Sequence, residues 1–570
     1  MMNKTSSKQT ISEIFSVLSK KLKIDAPGII ILAVTFIILA AMIFFDMSIN
    51  DPARLIRLPD YEPGKTAPRT IVSRHEVVRN DGAIPAGTAI VRRGYPVSED
   101  EYETLRSLAA SGGIDSRRFL GALVYFAVLL ILSVLLFSDE IAGKKLRRKE
   151  TIFLSVNFAV VFLAVLLLSG VADLSSEAVY FMYIPSALAV ILTAVLIGHK
   201  TSLLFTLILF LGVLYASAFS LRVSLFVLLS GFTVSFIMKK IENRMDMVFA
   251  SLILALVHIA IMLILAVILP GGFTSPVREL LGSAVNGFIT GILALGLLTP
   301  LETLMNTATI FRLMDLSDLN SPVMKRMLLT ASGTYNHSMM VATLAENACS
   351  EIGANPLLAR VGAYYHDLGK LEQPEYFVEN QREGNKHDEI NPRLSAAVIK
   401  RHVKGGMEKA RQLHMPEEVV NIISEHHGNS LISYFYNEAH KLDDQVTPEE
   451  FSYPGSPPAS KESAVVMLAD TVEAACRTLE KPSVPRLEKF IHELIMAKYE
   501  HGQLDQSDLT FKELYIIKNS FVKILAGYYH SRIEYPNQKD PDDDEKQKSA
   551  EQKPKSGGSG EIRGRQGRKK

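Results

Sequence analysis

Eight apolar runs, each near the length of about 20 residues that a helix needs to cross a hydrocarbon layer, constrain this 570-residue chain more than any other feature. The first covers residues 28–49. The other seven crowd together at 119–137, 152–170, 178–198, 202–219, 222–238, 247–270 and 281–303. Backbone N–H and C=O groups within a bilayer must be satisfied inside the protein, so runs of this kind fold as helices. The expected architecture is all-α: one N-terminal span, then a seven-helix membrane bundle over 118–303. A hydrophobic share of 48% agrees with it. No small-residue cleavage site follows the first run before Asp46, so that run reads as an uncleaved anchor.

The basic residues set the orientation. Lys4, Lys8, Lys20, Lys21 and Lys23 precede the first span within the N-terminal segment 1–27. Lys144, Lys145, Arg147, Arg148 and Lys149 follow the second, and Lys239, Lys240 and Arg244 follow the sixth. The connections 171–177 and 271–279 are poor in Lys and Arg. This alternation puts both termini of the multi-pass chain in the cytoplasm. Residues 50–117 then face outward. They have strand character at 69–78 and 88–97 and a short acidic helix at 98–109, enough for a small α+β module. The tail 536–570 is rich in Lys, Asp, Gln, Gly and Ser and is expected to be disordered.

From 304 to 535 the pattern changes to an all-helical domain. Apolar residues recur at three- and four-residue spacing in 322–330, 338–352, 355–367, 394–403, 416–426, 462–478, 486–498 and 510–529. The two cysteines, Cys349 and Cys476, show no CxxC spacing and read as ordinary buried thiols.

Several of the fourteen histidines fall where helix packing does not explain them. His337 sits in GTYNHS at the mouth of a helix. His366-Asp367 ends the apolar helix 356–365. His402 closes the helix that begins at Asn391-Pro392. His426-His427 precede Gly428, and Asp470 follows Val465–Ala469. A single helical histidine is more often a core or surface residue than a ligand. Imidazoles and carboxylates together, however, suit Fe, Mn or Zn, and seven such groups exceed what one ion holds. Two divalent ions sharing Asp367 account for them, with His337, His366 and Asp470 around one and His402, His426 and His427 around the other. Such a pair clamps a phosphoryl group and generates a hydroxide nucleophile at neutral pH. Neighbours on a helix diverge by about 100°, so His426 and His427 both reach a site only where the helix ends, which Gly428 provides. A second dipeptide, His387-Asp388, lies in a polar loop and reads as solvated. His258, inside a span, is a lone polar residue of open role.

The order His…His-Asp…His…His-His…Asp resembles the HD phosphohydrolase superfamily. The strings GTYNHS, ARVGAYYHDLGK, YFVENQ and FSYPGSPPASKESAVVMLADTVEAACR are similar to the bacterial seven-transmembrane receptor–HD family. That resemblance covers most of 28–530. It implies a cyclic di-AMP phosphodiesterase giving pApA, with metal ligands at His337, His366, Asp367, His402, His426, His427 and Asp470; the two divalent ions expected at such a His-rich site are Mn or Fe. One departure stands out: the family carries a much larger extracytoplasmic domain, whereas 61–73 and 85–105 look like only its two flanks.

Further expectations attach to Lys370, one turn past Asp367, which can meet a phosphate or protonate a leaving oxygen, and to Arg393 and Ser395, which open the helix carrying His402 and can contact phosphate there. The partners expected are a cyclic dinucleotide and the lipid bilayer, with no DNA or RNA polymer; a homodimer stays open. Three alternatives remain: a cyclic di-GMP or other nucleotide phosphohydrolase, a nucleotide-binding receptor without turnover, and a transporter. Gly94-Tyr95-Pro96 lies too far before the HD ligands to favour the first, the complete ligand set disfavours the second, and scarce intramembrane charge disfavours the third.

Overall fold

A computed structural model describes residues 26–49, 56–110 with short breaks, 116–170, and 184–530 with short breaks. The basic N-terminal segment and the tail 536–570 lie outside the described residues. Helix α1 is Ala26–Ile49. Two short antiparallel pairs follow, β1 (Ile71–Val72) with β4 (Ala89–Val91), and β2 (Val77–Arg79) with β3 (Gly82–Ile84). Helix α2 (Glu99–Ala110) packs Leu105 against Tyr61, Ile90 and Val97.

The bundle comprises α3 (Ser116–Leu136), α4 (Arg148–Gly170), α5 (Ser186–Leu196), α6 (His199–Ala216), α7 (Leu221–Met238), α8 (Arg244–Ile268) and α9 (Pro276–Met305). Among the described residues seven helices, α1, α3, α4 and α6 to α9, are long and apolar enough to cross a membrane, and α5 is shorter. The expected span 178–198 is described only from residue 184, so its first part lies outside the described residues. These helices are apolar all round. One face packs inward, with Phe36, Phe126, Phe158 and Phe162 in the shared core, while Ile37, Leu256 and Val267 point outward. Helices apolar on every side need a lipid surround. His258 is fully buried, with Nδ1 3.2 Å from the Ser283 carbonyl and Nε2 2.7 Å from Ser230 Oγ. A carbonyl only accepts, so Nδ1 donates to it and Nε2 accepts from the serine. Both ring nitrogens are satisfied within the bundle.

A connector, α10 (Ile310–Leu316), joins the two halves. Its Phe311 belongs to the bundle core and its Leu313 to the core of the next domain. That domain contains α11 (Pro322–Thr330), α12 (Ser332–Ile352), α13 (Pro356–Tyr365), α14 (Pro392–Gln412), α15 (Glu417–Glu425), α16 (Ser433–Leu442), α17 (Lys461–Cys476), α18 (Val484–Glu500) and α19 (Phe511–His530). Helix α17 is its axis, with Ala464 to Ala469 wholly buried.

Local chemistry sets where these helices start. Asn355 Oδ1 accepts from Leu358 N and Asn391 Oδ1 from Leu394 N, each followed by proline at the first helical position. Ser460 Oγ caps α17 in the same way. Two expectations need correction. Helix α14 does not close at His402 but continues to Gln412; its last turns bury only small residues, Gly405, Gly406 and Ala410, among Lys404, Glu408, Lys409 and Arg411, so they carry little apolar periodicity in the sequence. His387 is buried, not solvated: Nε2 reaches the Tyr376 carbonyl at 2.8 Å and the ring packs on Phe435. Helix α16 carries little apolar periodicity in the sequence, since only Phe435 and Ala439 in it are buried.

Candidate metal centre

Five elements converge on one cleft. Helix α12 brings His337 from its second turn, the end of α13 brings His366 and Asp367, α14 brings His402, the end of α15 brings His426 and His427, and α17 brings Asp470. Gly428 takes a positive φ of 55° directly after the histidine pair, the left-handed turn that ends α15 and lets both rings face inward. Gly369 permits the approach of the His366-Asp367 turn to α14. A Cβ there would sit 1.8 Å from the His402 carbonyl oxygen.

Asp367 lies at the centre. Its Oδ2 is 3.6 Å from His337 Nε2 and 3.2 Å from His366 Nε2, while its Oδ1 is 3.4 Å from His402 Nε2 and 3.7 Å from His426 Nε2. Asp470 turns Oδ1 toward His337 Nε2 at 3.0 Å and Oδ2 toward His427 Nδ1 at 3.6 Å. Three groups offer donor atoms within 4.8 Å of one another: His402, His426 and His427; His337, His366 and Asp470; and His366, Asp367 and His426. All seven residues chosen from the sequence therefore gather in one place, in two sets that meet at Asp367.

The electrostatics suit cations. Burial pushes His402 down to about 4 and His426 to about 3, and holds His427 well below its usual value, leaving neutral rings with free lone pairs. Burial also works against charge on His366, but Asp367 and Asp470 outweigh it and push that ring up to about 10. Burial opposes ionisation of Asp367 as well, yet His366 and Lys370 hold its carboxyl well below the usual range. Neither oxygen of Asp367 nor Nε2 of His366 has a hydrogen-bond partner. Lys370 Nζ lies 2.7 Å from Asp367 Oδ2, an ion-pair distance outside hydrogen-bond geometry. A buried carboxylate without hydrogen bonds is costly unless a cation compensates it. The donor set and these orphaned atoms fit divalent metal.

Lys370 is pinned between Asp367 and Glu379 Oε1, at 2.8 Å, and these acids keep it charged against its burial. It lines the cleft, which holds about 560 Å³ of empty space and is also walled by Phe377, Tyr453 and Arg477. The Tyr453 ring stacks on His427 at 4.3 Å. Arg393 and Ser395 are not among the residues that line the cleft. Arg393 is exposed and paired with Asp443 and Glu450, and Ser395 is buried in the first turn of α14. Glu379, Tyr453, Glu473 and Arg477 also stand at the site, although no ligand pattern in the sequence marks them.

Residues 117–309 match the family described as 7TM receptor with intracellular HD hydrolase, and residues 334–475 match the HD domain. The chain is 34% identical over 466 residues to the cyclic-di-AMP phosphodiesterase PgpH of Bacillus subtilis (strain 168), covering 78% of this chain and 65% of that protein. It is 32% identical over 470 residues to the cyclic-di-AMP phosphodiesterase PgpH of Listeria monocytogenes serotype 1/2a (strain 10403S), covering 80% and 64%. The chain thus spans a little under two thirds of the length of these relatives. The HD domain of L. monocytogenes PgpH, solved in complex with cyclic-di-AMP, is 41% identical, covers 38% of this chain and 100% of its own, and superposes with a TM-score of 0.36. With its long apolar helices, this is a multi-pass membrane protein, and the chain belongs to the family of 7TM receptors with an intracellular HD hydrolase.

Proposed function

We propose that the C-terminal helical domain, 304–535, hydrolyses one phosphodiester of cyclic di-AMP to give linear pApA at a two-metal centre. The observation that carries this reading is Asp367: both its oxygens are buried without hydrogen-bond partners, and each faces a different set of imidazoles. The names of the two PgpH relatives support the nucleotide. His337, His366 and Asp470 would hold one ion and His402, His426 and His427 the other, with Asp367 between the two sets available to both. Two Mn or Fe ions, when bound, supply Lewis-acid polarisation of the phosphodiester and a water activated for attack at neutral pH. The residues do the rest. Lys370 presents a fixed positive charge at the cleft wall for a phosphate oxygen. The buried aspartates and histidines keep the ligand atoms of seven residues pre-aimed, so little reorganisation is needed as charge develops. The alternation of basic and poorly basic connections along the sequence supports a cytoplasmic side for this domain, where it would meet its substrate.

The full chain, purified in detergent and loaded with Mn²⁺ or Fe²⁺, should release pApA from cyclic di-AMP, followed by chromatography. EDTA should stop it. Asp367→Ala should lower turnover by about 10³-fold, the equivalent of losing ~4 kcal/mol of charge stabilisation, with helical circular dichroism retained. Protein that carries two ions per chain and leaves every cyclic dinucleotide intact would sink the proposal.

A further inference from the structure

The four histidines that present Nε2 to the centre are not aimed in the same way. His366, His402 and His426 each point Nδ1 at the carbonyl three residues back in their own chain, Ala363, Ile399 and Ile423. Helix geometry alone orients those rings. His337 differs. Its Nδ1 faces the Glu473 carboxylate, which comes from α17. Glu473 is itself gripped by Arg477, whose Nη2 lies 2.8 Å from Oε1 and 2.6 Å from Oε2. Glu473 and Arg477 stand three and seven positions after Asp470, so one face of α17 carries the ligand, the carboxylate and the guanidinium together.

We infer that Glu473 is the positioning residue for His337, and that Arg477 at the cleft wall holds it in place. This rests on the metal reading above. An ionised carboxylate only accepts, so Nδ1 must carry the hydrogen toward Glu473, and Nε2, which faces the accepting oxygens of Asp470 at 3.0 Å and Asp367 at 3.6 Å, is the nitrogen left to offer its lone pair when a cation lies between them. Arg477 Nη2 also lies 3.2 Å from His337 Nδ1. That contact would be a hydrogen bond only with Nδ1 bare, and a bare Nδ1 would set its lone pair against the glutamate. Glu473 is largely enclosed, its side chain 12% exposed, whereas Arg477 is 44% exposed and lines the cleft. The clamp therefore runs from the cleft wall through Glu473 to one ligand of one ion.

The test is a Mn²⁺ titration of the full, metal-free chain in detergent, with free Mn²⁺ read by its electron paramagnetic resonance signal and the metal-free heat-unfolding midpoint measured alongside. Glu473→Ala should weaken one of the two ions by about 10–100-fold and leave the other near its wild-type affinity. Glu473→Gln keeps an accepting oxygen and should restore most of the loss. Arg477→Ala should show a smaller weakening of the same ion. A purely structural role would instead lower the metal-free midpoint and loosen both ions together, with no rescue by glutamine; that pattern overturns the inference, as does Glu473→Ala with both wild-type affinities. Wild-type protein that binds no Mn²⁺ takes down the metal reading, and this inference with it.

Discussion

The Tyr365 hydroxyl donates a 2.9 Å hydrogen bond to the Leu316 carbonyl, so the residue just before His366 is fastened to the end of the connector α10. The connector is itself held from both sides. Phe311 packs in the bundle and Leu313 beside Tyr365, while Arg312 donates to the carbonyls of Glu302, at 3.0 Å, and His414. Tyr365→Phe removes the hydroxyl and keeps the buried ring. It is expected to cost about 1 kcal/mol, a fall of roughly 2–4 °C in the heat-unfolding midpoint, with metal content per chain unchanged. A midpoint equal to wild type would mean the bond contributes nothing.

Gly369 and Gly405 form a matched pair for testing the approach of the His366-Asp367 turn to α14. A Cβ on Gly369 meets backbone, the His402 oxygen at 1.8 Å and Gly406 N at 2.6 Å, whereas a Cβ on Gly405 finds nothing nearer than the Glu372 carboxylate at 3.6 Å. Gly369→Ala should therefore destabilise by about 1–3 kcal/mol or more and reduce bound metal, because His402 is pushed away from Asp367. Gly405→Ala, in a helix interior, should be neutral or stabilising by about 0.5–1 kcal/mol. Calorimetry and metal analysis on the two variants check this. Equal behaviour would refute the close-approach argument.

How much of this was legible in the sequence follows from what each feature depends on. The seven ligand candidates stood out because helix packing gives no reason for imidazoles and carboxylates beside these apolar runs, and the structure brings all seven together. The apolar runs were legible through length alone. The groups that hold the ligands were not. Glu473 and Arg477 look like an ordinary solvated i,i+4 pair until the helix from which His337 comes is laid against α17. Glu379 sits in a polar stretch of short turns, and only the fold brings it to Lys370. His387 read as solvated for the same reason: its neighbours in sequence are polar, while its neighbours in space, Tyr376 and Phe435, are aromatic.

The Lys370–Glu379 pair separates stability from chemistry. Both side chains are nearly enclosed, 12% and 11% exposed, so removing one leaves the other's charge buried. Lys370→Met alone should cost about 3–5 kcal/mol. Adding Glu379→Gln, which neutralises the stranded acid, should recover a large part of that cost, seen as a coupled double-mutant cycle in chemical unfolding. If Lys370 meets a substrate phosphate, turnover stays low in the double variant although the fold is repaired. Recovery of both together would assign Lys370 to structure only.

Burial also decides the chemistry of the two thiols. Cys349 is fully buried and its thiol is raised well beyond its ordinary value, and burial pushes Cys476 up to about 11. The thiolate is the reactive form. Native protein at pH 8 should therefore leave both cysteines unmodified by a maleimide over a period in which denatured protein reacts at both, counted by mass spectrometry. The same shift has a consequence for stability. Between pH 9 and 11 the unfolded chain gives up the Cys476 proton while the folded chain retains it, so the folded state binds more protons and loses stability as pH rises. This contribution is complete below the unfolded value of 9 and fades through 11. Cys476→Ala should show a shallower fall in unfolding midpoint across that interval than wild type. A parallel fall in the two proteins would place the alkaline loss elsewhere.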